Sequence, residues 1–162
     1  NTLEIVLKSM NHRDIPIKQS NALNERDYGD LVGQNKAEAA ERFGAEQVQV
    51  WRRSFDTPPP GGESLKMTAD RTLPYFKDTI MKDLMDTGGS IIVSAHGNSI
   101  RSIAMYLLNL SSAEVLETEI GWCEPWVFCF NEDASLSSFD IMTRKSDSSM
   151  SSLPKKYKTF TA

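Results

Sequence analysis

The chain has few residues of the kinds that build disulfide or zinc structures. Its 162 residues include only two cysteines, Cys123 and Cys129, and two histidines. Cysteines six positions apart, with no others in the chain, suggest neither a disulfide framework nor a zinc site. We therefore expect both to be buried free thiols, and we expect the protein to work in a reducing compartment, the cytoplasm.

Long apolar runs and an excess of positive charge are also missing. No run of 18 apolar residues occurs, so no transmembrane helix is expected, and NTLEIVLKSM at the start does not have the pattern of a signal peptide. The net charge of −4 provides no general basic surface for nucleic acid. We therefore expect neither membrane nor nucleic acid as a partner, and any anion site must be local. Because the chain begins in mid-pattern and without Met, we expect it to be cut from a longer one.

Hydrophobic periodicity predicts alternating helices and strands. A long amphipathic helix follows the loop TPPPGGES at 57–64, and Pro74 is expected to kink it or to shift its start. The β-branched run at 90–95 predicts a strand buried on both faces, followed by a helix over 98–109. Shorter predicted elements are a strand at 15–17, helices at 36–43 and 46–55, a capped helix from 111, and strands at 126–130 and 136–142. This order is typical of an α/β fold with a parallel-rich sheet flanked by helices.

A histidine stands between the strand predicted at 90–95 and the helix that follows it. In parallel sheets, ligands bind where the C-terminal ends of strands meet the N-termini of helices. Gly97 allows a close backbone approach, and Asn98 begins the helix, whose free N–H groups favour an anion. We expect His96 to face an anionic ligand; the alternative is that it only hydrogen-bonds a turn.

Two other polar stretches hold candidate anion ligands. The loop at 24–29 reads NERDYG, and the helix predicted at 46–55 carries Arg52 and Arg53, whose guanidinium groups suit phosphate or carboxylate. Lys36 stands at a helix start, where the helix dipole repels a cation unless an anion lies nearby. From the residues alone, the loop can also be an ordinary charged surface, and at least one of the adjacent arginines can be solvated or ion-paired.

Taken together, these stretches resemble one known family. The motifs are NERxYG at 24–29, NK at 35–36, QVxxWRRS at 47–54, PPPGGESL at 58–65 and AHGNS at 95–99. They resemble the cofactor-dependent phosphoglycerate mutases of the histidine phosphatase superfamily, over residues 20–110 and more weakly over 111–142. The resemblance implies a three-layer α/β/α fold with a mostly parallel central sheet.

The resemblance also implies a reaction and roles for residues. Members transfer a phosphoryl group between the 3- and 2-positions of glycerate, in glycolysis and gluconeogenesis, through a phosphohistidine primed by 2,3-bisphosphoglycerate and without a metal. By matching motifs, Glu25 is the general acid/base and His96 binds the transferring phosphoryl group. The implied phosphate- and carboxylate-binding residues are Tyr28, Lys36, Arg52, Arg53, Gly97 and Asn98. The implied partners are small-molecule phosphoglycerates, and we expect a monomer or homodimer.

The chain departs from the family pattern at the nucleophile. Members carry it in an Arg-His-Gly motif at the end of the first strand, and these 162 residues contain no such motif. The other histidine, His12, stands in NHRD, with no buried strand before it and no phosphate-cradling turn after it. We expect the first segment of the family to be absent from this chain, which alone should form no phosphohistidine.

Three functions therefore stay open. The chain belongs to a phosphoglycerate mutase, to a broader histidine phosphatase, or to a non-catalytic relic that keeps an anion site. The combination of NERxYG with WRRS favours the mutase over the broader phosphatase. We divide the chain into a mutase-like domain at 1–143, incomplete at its N-terminus, and a flexible Ser/Lys-rich tail at 144–162.

Overall fold

The computed structural model describes residues 2–12, 14–142 and 151–154. Within these ranges none of the helices is long and apolar enough to cross a membrane. A π-helix at Phe76–Met81 joins two α-helices, and 3₁₀ turns occupy Asn21–Leu23 and Gly29–Leu31. The α-helices are Thr2–Ser9 (α1), Lys36–Phe43 (α2), Ala45–Arg53 (α3), Leu65–Tyr75 (α4), Lys82–Thr87 (α5), Gly97–Leu107 (α6) and Ser112–Glu117 (α7), and the strands are Trp126–Phe130 (β1) and Leu136–Ile141 (β2).

Capping side chains fix where the helices near the site begin. The Asn35 side chain accepts hydrogen bonds from the first turn of α2, and the Glu38 carboxylate accepts one from the Asn35 N–H, which completes a capping box. Ser64 caps α4 by accepting from the Met67 N–H. His96 precedes α6 but makes no capping hydrogen bond with its side chain. The first N–H groups of α6 therefore need another acceptor.

The long helix predicted after residue 64 changes its winding after Pro74. Proline lacks the N–H that would continue the hydrogen-bond ladder, and its ring crowds the carbonyl four residues earlier. The chain stays α-helical to Tyr75, widens into the π-helix, and returns to α-helix at Lys82. The straight part, α4, packs against α6. This helix pair supports the loop that carries Glu25.

Two apolar clusters hold these elements together. The first joins α2 and α3 to the 3₁₀ turn at Gly29–Leu31 through Leu31, Ala39, Val48 and Trp51, with Tyr28 and Phe43 packed against it. The second joins α4, α6 and α7 through Leu65, Leu108, Leu110 and Val115. Burying each large aliphatic side chain contributes about 1.5–3 kcal/mol. The first cluster fixes the end of α3, where Arg52 and Arg53 lie.

The two C-terminal strands, predicted at 126–130 and 136–142, form an antiparallel hairpin. Trp126 lies opposite Ile141, and Phe128 lies opposite Phe139. The Phe128 and Phe139 rings stack with centroids 4.6 Å apart, and both pack on the second cluster. Within the described ranges this hairpin is the one sheet.

The strands predicted at 90–95 and at 15–17 were wrong for the described structure. Neither segment pairs with another part of the described chain, and Ile91 and Ile92 are 39% and 45% exposed. Ile15 and Ile17 are also exposed. A β-branched run becomes a strand only when a neighbouring backbone supplies its hydrogen bonds. The α/β class is therefore present as helices with one hairpin, and no parallel ladder forms among the described residues.

Residues 151–154 lie against the domain, although they fall in the segment predicted to be a flexible tail. The Ser151 hydroxyl accepts hydrogen bonds from the Gly121 N–H at 2.8 Å and from the Trp126 indole N–H at 2.9 Å. Ser152 and Glu119 exchange two backbone hydrogen bonds. Composition did not predict this contact because hydroxyl and backbone groups make most of it. The rest of the tail, 144–150 and 155–162, lies outside the described residues.

The predicted burial of the two cysteines was wrong, because both are exposed free thiols. Cys129 faces outward on β1, where inward and outward residues alternate. Cys123 lies in the turn before β1 with a φ of +56°. The apolar neighbours that suggested burial pack on the opposite side of the strand.

Candidate active site

Two glycines lock the loop that holds Glu25 onto the loop PPPGGES. The Asp30 N–H donates to the Pro60 carbonyl at 3.0 Å. A Cβ on Gly29 would lie 2.2 Å from that carbonyl oxygen, and a Cβ on Gly62 would lie 2.8 Å from the Gly29 nitrogen. Any side chain at 29 or 62 would therefore force the two backbones apart.

Arg71 ties the same loop to α4. Its guanidinium donates to the carbonyls of Ala22, Asn24 and Glu25 at 2.9–3.0 Å. The same group forms a two-point ion pair with the Glu63 carboxylate at 2.8 and 2.9 Å. Hydrogen bonding from Arg71 is the main reason that the pKa of Glu63 lies below its usual range, and Glu63 in turn raises the pKa of Arg71. The backbone of Glu25 is thereby fixed from the α4 side.

Helix α6 holds the loop from a second side. The buried Ser99 hydroxyl donates to the carbonyls of Leu23 and Asn24. The Asn98 side-chain Nδ2 donates to Glu25 Oε1 at 2.8 Å and to Tyr28 Oη at 3.3 Å. The Asn98 backbone N–H lies 3.3 Å from the same Oε1. A carboxylate thus occupies the positive end of α6, where the helix dipole favours negative charge.

His96 and Gly97 stand beside this carboxylate. A Cβ on Gly97 would lie 3.9 Å from Glu25 Oε2, so the backbone passes close to the acid. His96 is the next residue back along the chain, and its imidazole is exposed. The structure therefore brings Glu25, Tyr28, Gly97 and Asn98 into contact, and these four residues form the Asn98 cluster. His96 precedes Gly97 at the start of α6.

A buried arginine links this cluster to α3. Arg26 is 4% exposed, lies over the Tyr28 ring at 4.9 Å and donates to the Trp51 carbonyl. Burial lowers the pKa of Arg26, and the positive charge of Arg52 lowers it further, whereas Tyr28 and Glu25 act in the opposite direction. Arg52 itself is half-buried at the C-terminal end of α3. Because Arg52 directly follows Trp51, the contact of Arg26 with the Trp51 carbonyl holds this end of α3 against the Glu25 loop.

A second half-buried arginine belongs to α6. Arg101 Nη1 donates to Asn98 Oδ1 at 3.3 Å. Burial lowers the pKa of Arg101, the charge of Glu119 opposes this effect, and the positive charges of Arg26 and Arg53 add to it. Arg53 is exposed. Of the two arginines predicted from WRRS, Arg52 directly follows the Trp51 carbonyl that Arg26 binds and is half-buried, and Arg53 faces solvent.

These four arginines have no anionic partner among the described residues. None of the ion pairs in that part of the chain includes Arg26, Arg52, Arg53 or Arg101. The Nε atoms of Arg26 and Arg52 are buried and lack any hydrogen-bond partner among the residues that the structure describes. Buried donors without acceptors are costly and rare. The unpartnered Nε atoms of Arg26 and Arg52 fit a phosphate or carboxylate supplied by a ligand.

Lys36 and His12 remain apart from these contacts. Lys36 begins α2, but its side chain lies outside the described part of the structure. His12 is an exposed residue just after α1, and no contact of the Asn98 cluster involves it. Of the predicted site residues, Lys36 is thus the one whose side chain has no described position.

An acidic cleft of about 400 Å³ opens beside the Glu25 loop. Its lining residues are Asn21, Asn24, Glu25, Asp27, Glu63 and Arg71. Three carboxylates against one guanidinium disfavour a phosphate there. In the described part of the chain, no group of three His, Cys, Asp or Glu side chains has a metal-binding arrangement. The arginine-rich side of Glu25 is therefore the better candidate for an anion site.

Comparison with known proteins shows which family the chain belongs to. The family model for the histidine phosphatase superfamily (branch 1) matches residues 1–137. The chain belongs to this superfamily. The 2,3-bisphosphoglycerate-dependent phosphoglycerate mutase of Nitrobacter winogradskyi is 50% identical over 137 residues, which are 85% of this chain and 66% of the relative. The mutase of Parvibaculum lavamentivorans is 52% identical over 78% of this chain and 60% of its own length. The chain thus spans 60–66% of the length of these relatives.

Solved structures show the superfamily fold. A mycobacterial glucosyl-3-phosphoglycerate phosphatase in complex with inorganic phosphate superposes with a TM-score of 0.67 at 20% identity, covering 86% of this chain and 69% of that chain. The native form of that phosphatase gives a TM-score of 0.63 at 19% identity, covering 86% of this chain and 70% of its own length. The predicted mutase-like α/β fold is therefore confirmed as a fold class, whereas its mostly parallel central sheet is not formed among the described residues.

Four residues that contact or support this cluster were missing from the sequence-based prediction. Arg26 and Glu63 lie inside the motifs NERDYG and PPPGGES, so their presence was known but not their contacts. Arg101 lies three residues after Asn98 and hence on the same face of α6, a spacing that could have identified it. Arg71 gave no signal, because its partners are mainly carbonyls of a distant loop.

Proposed function

We propose that this chain carries the acid/base and anion-binding residues of a 2,3-bisphosphoglycerate-dependent phosphoglycerate mutase. One observation carries the proposal: the Glu25 carboxylate lies against Asn98 at the start of α6, close to guanidinium groups without anionic partners among the described residues. The names of relatives about 50% identical to the chain support the same activity. The inferred setting is glycolysis and gluconeogenesis in the cytoplasm, in a monomer or homodimer.

The proposed substrate, 3-phosphoglycerate, matches the residue types of the site. It carries a phosphate and a carboxylate, and phosphoryl transfer depends mainly on positioning and on stabilising negative charge. Arg52 and Arg53 bind these anionic groups, with Tyr28 and Lys36 as further ligands. His96, Gly97 and the N-terminus of α6 face the transferring phosphoryl group. Glu25 exchanges the proton of the substrate hydroxyl.

The cofactor 2,3-bisphosphoglycerate fits the same donors. The buried Nε of Arg52 lacks a hydrogen-bond partner among the described residues, which suits a ligand that brings several anionic oxygens. We infer that Arg52, Arg53 and Asn98 hold it. When bound, the cofactor supplies the phosphoryl group that primes the enzyme.

The proposed reaction also needs a nucleophile that these 162 residues do not provide in the family's Arg-His-Gly form. His96 is assigned to phosphoryl binding, and His12 lies outside the cluster. We therefore expect residues 1–162 to bind 3-phosphoglycerate without converting it.

Binding of 3-phosphoglycerate to the 162-residue chain tests the site by isothermal titration calorimetry. We expect one saturable site that His96→Gln and Arg52→Met each weaken about tenfold or more, since a hydrogen bond to a charged group contributes about 1.5–3 kcal/mol. His12→Gln is the matched control, because it removes the second imidazole without touching the cluster. Absence of binding, or equal losses in both histidine variants, would contradict the proposal.

Assays of the full gene product distinguish the three candidate functions. Conversion of 3-phosphoglycerate to 2-phosphoglycerate that depends on added bisphosphoglycerate supports the mutase. Release of inorganic phosphate as the main product indicates a broader phosphatase. Binding without either product indicates an anion-binding module. Turnover by residues 1–162 alone that needs His96 but not His12 would show that the nucleophile is wrongly assigned.

A further inference from the structure

The orientation of the Asn98 amide decides what Glu25 contacts. The NH2 end of the amide donates to Glu25 and Tyr28, and the side chain is 8% exposed. The two ends of an amide have nearly the same shape, so packing alone does not choose between its two orientations. The reversed orientation would place Oδ1 against the Glu25 carboxylate, where two acceptors repel. This repulsion favours the observed orientation, and a donor placed beside Oδ1 would hold the amide in it further.

Arg101 is placed to do this. Its Nη1 donates to Asn98 Oδ1 at 3.3 Å, one helical turn away on the same face of α6. A guanidinium has only donors, so it accepts no contact from the NH2 end of the amide. With the oxygen held by Arg101, the NH2 group points to Glu25 and Tyr28.

The guanidinium of Arg101 is itself fixed. Its Nε and Nη2 both donate to the Val115 carbonyl, at 3.2 and 2.7 Å. Val115 is fully buried near the C-terminal end of α7, and its carbonyl also accepts the Thr118 N–H at 3.3 Å. A cation is favoured at that end by the helix dipole. Three N–H groups of Arg101 therefore make directed contacts, and only one of them reaches the Asn98 cluster.

We propose that Arg101 is a positioning residue that orients the Asn98 amide toward Glu25. The expected effect on ligand binding rests on the proposed function, because a misdirected amide would weaken the site that Glu25 and Asn98 form. Arg101 touches neither Glu25 nor, in this scheme, the substrate. Its effect on ligand binding passes through Asn98.

A double-mutant cycle on the 162-residue chain tests this route, with 3-phosphoglycerate affinity as the readout. Arg101→Lys keeps the charge but loses the planar group that bridges Asn98 and Val115. We expect it to weaken binding about tenfold in the unmodified chain and to have no effect in an Asn98→Ala background. Arg42→Lys, at an exposed arginine on α2, is the matched control and should leave affinity unchanged. Equal losses in both backgrounds would show a merely structural role and overturn the inference.

A second measurement does not depend on ligand. In NMR spectra of the unmodified chain, the Asn98 side-chain NH2 protons should show contacts to the Tyr28 ring and not to the Arg101 side chain. The reverse pattern overturns the inference. If these contacts are present in the unmodified chain but lost in Arg101→Lys, and 3-phosphoglycerate does not bind, the positioning role stands and the proposed function fails. If it binds but the cycle shows no coupling, the positioning role fails alone.

Discussion

Alanine at position 29 is expected to destabilise the fold by about 3–5 kcal/mol, whereas alanine at position 33 should cost about 1–2 kcal/mol. Both glycines have positive φ angles, +50° and +76°, so both substitutions carry a backbone penalty. Only at Gly29 would the new Cβ also collide, 2.2 Å from the Pro60 carbonyl oxygen and 2.5 Å from the Gly62 nitrogen. The difference between the two variants therefore measures how tightly the two loops interlock.

Urea unfolding of the two variants checks this expectation. The free energy of unfolding must fall with urea concentration at the same slope in both variants for the comparison to be valid. Gly33→Ala is the matched control because, among the described residues, no atom lies within 4 Å of the position that its Cβ would take. Loss of 3-phosphoglycerate binding should accompany Gly29→Ala even where the chain still folds, since Glu25 lies on the displaced loop. Equal destabilisation of both variants would mean that the loops separate at little cost and do not position Glu25.

Local sequence patterns were sufficient to predict those elements whose formation depends on residues close by in the chain. Asn35 and Ser64 mark the starts of α2 and α4 because a capping side chain acts within one turn. The strands β1 and β2 were predicted as separate segments, and the structure pairs them as an antiparallel hairpin. The segment at 90–95 failed for the opposite reason. Its β-branched residues need a neighbouring strand, and within the described residues none pairs with it.

The site was predictable as a set of residues but not as a set of contacts. Motif matching identified Glu25, Tyr28 and Asn98, and the structure joins these three by hydrogen bonds. The roles assigned to them remain predictions. Arg71 was not predicted because most of its partners are backbone carbonyls of a distant loop, which carry no residue-specific signal in the sequence. The position of Glu25 therefore depends on a residue that no motif identified.

Replacement of Arg71 by methionine should lower the free energy of unfolding by about 2–4 kcal/mol at pH 7, less than the full cost of breaking a deeply buried pair. The variant loses a two-point ion pair with Glu63 and three strong hydrogen bonds to loop carbonyls. Both side chains are largely buried, with 26% and 21% exposed. Lys66→Met is the control, because the Lys66–Asp70 pair is exposed and should contribute at most about 0.5 kcal/mol.

The pH dependence of this difference distinguishes the ion pair from lost packing. The pKa of Glu63 is lowered in the folded protein, mainly by Arg71, so the unfolded chain binds the proton more readily. The stability that Glu63 contributes is therefore complete above the ordinary glutamate pKa of about 4.3, and it is lost as pH falls through the lower folded value. The gap between the unmodified chain and Arg71→Met should be widest near neutral pH and should narrow below about pH 4. Unfolding curves that keep a constant gap from neutral to acidic pH would show that Arg71 holds the Glu25 loop through its carbonyl contacts alone, without help from the charge of Glu63.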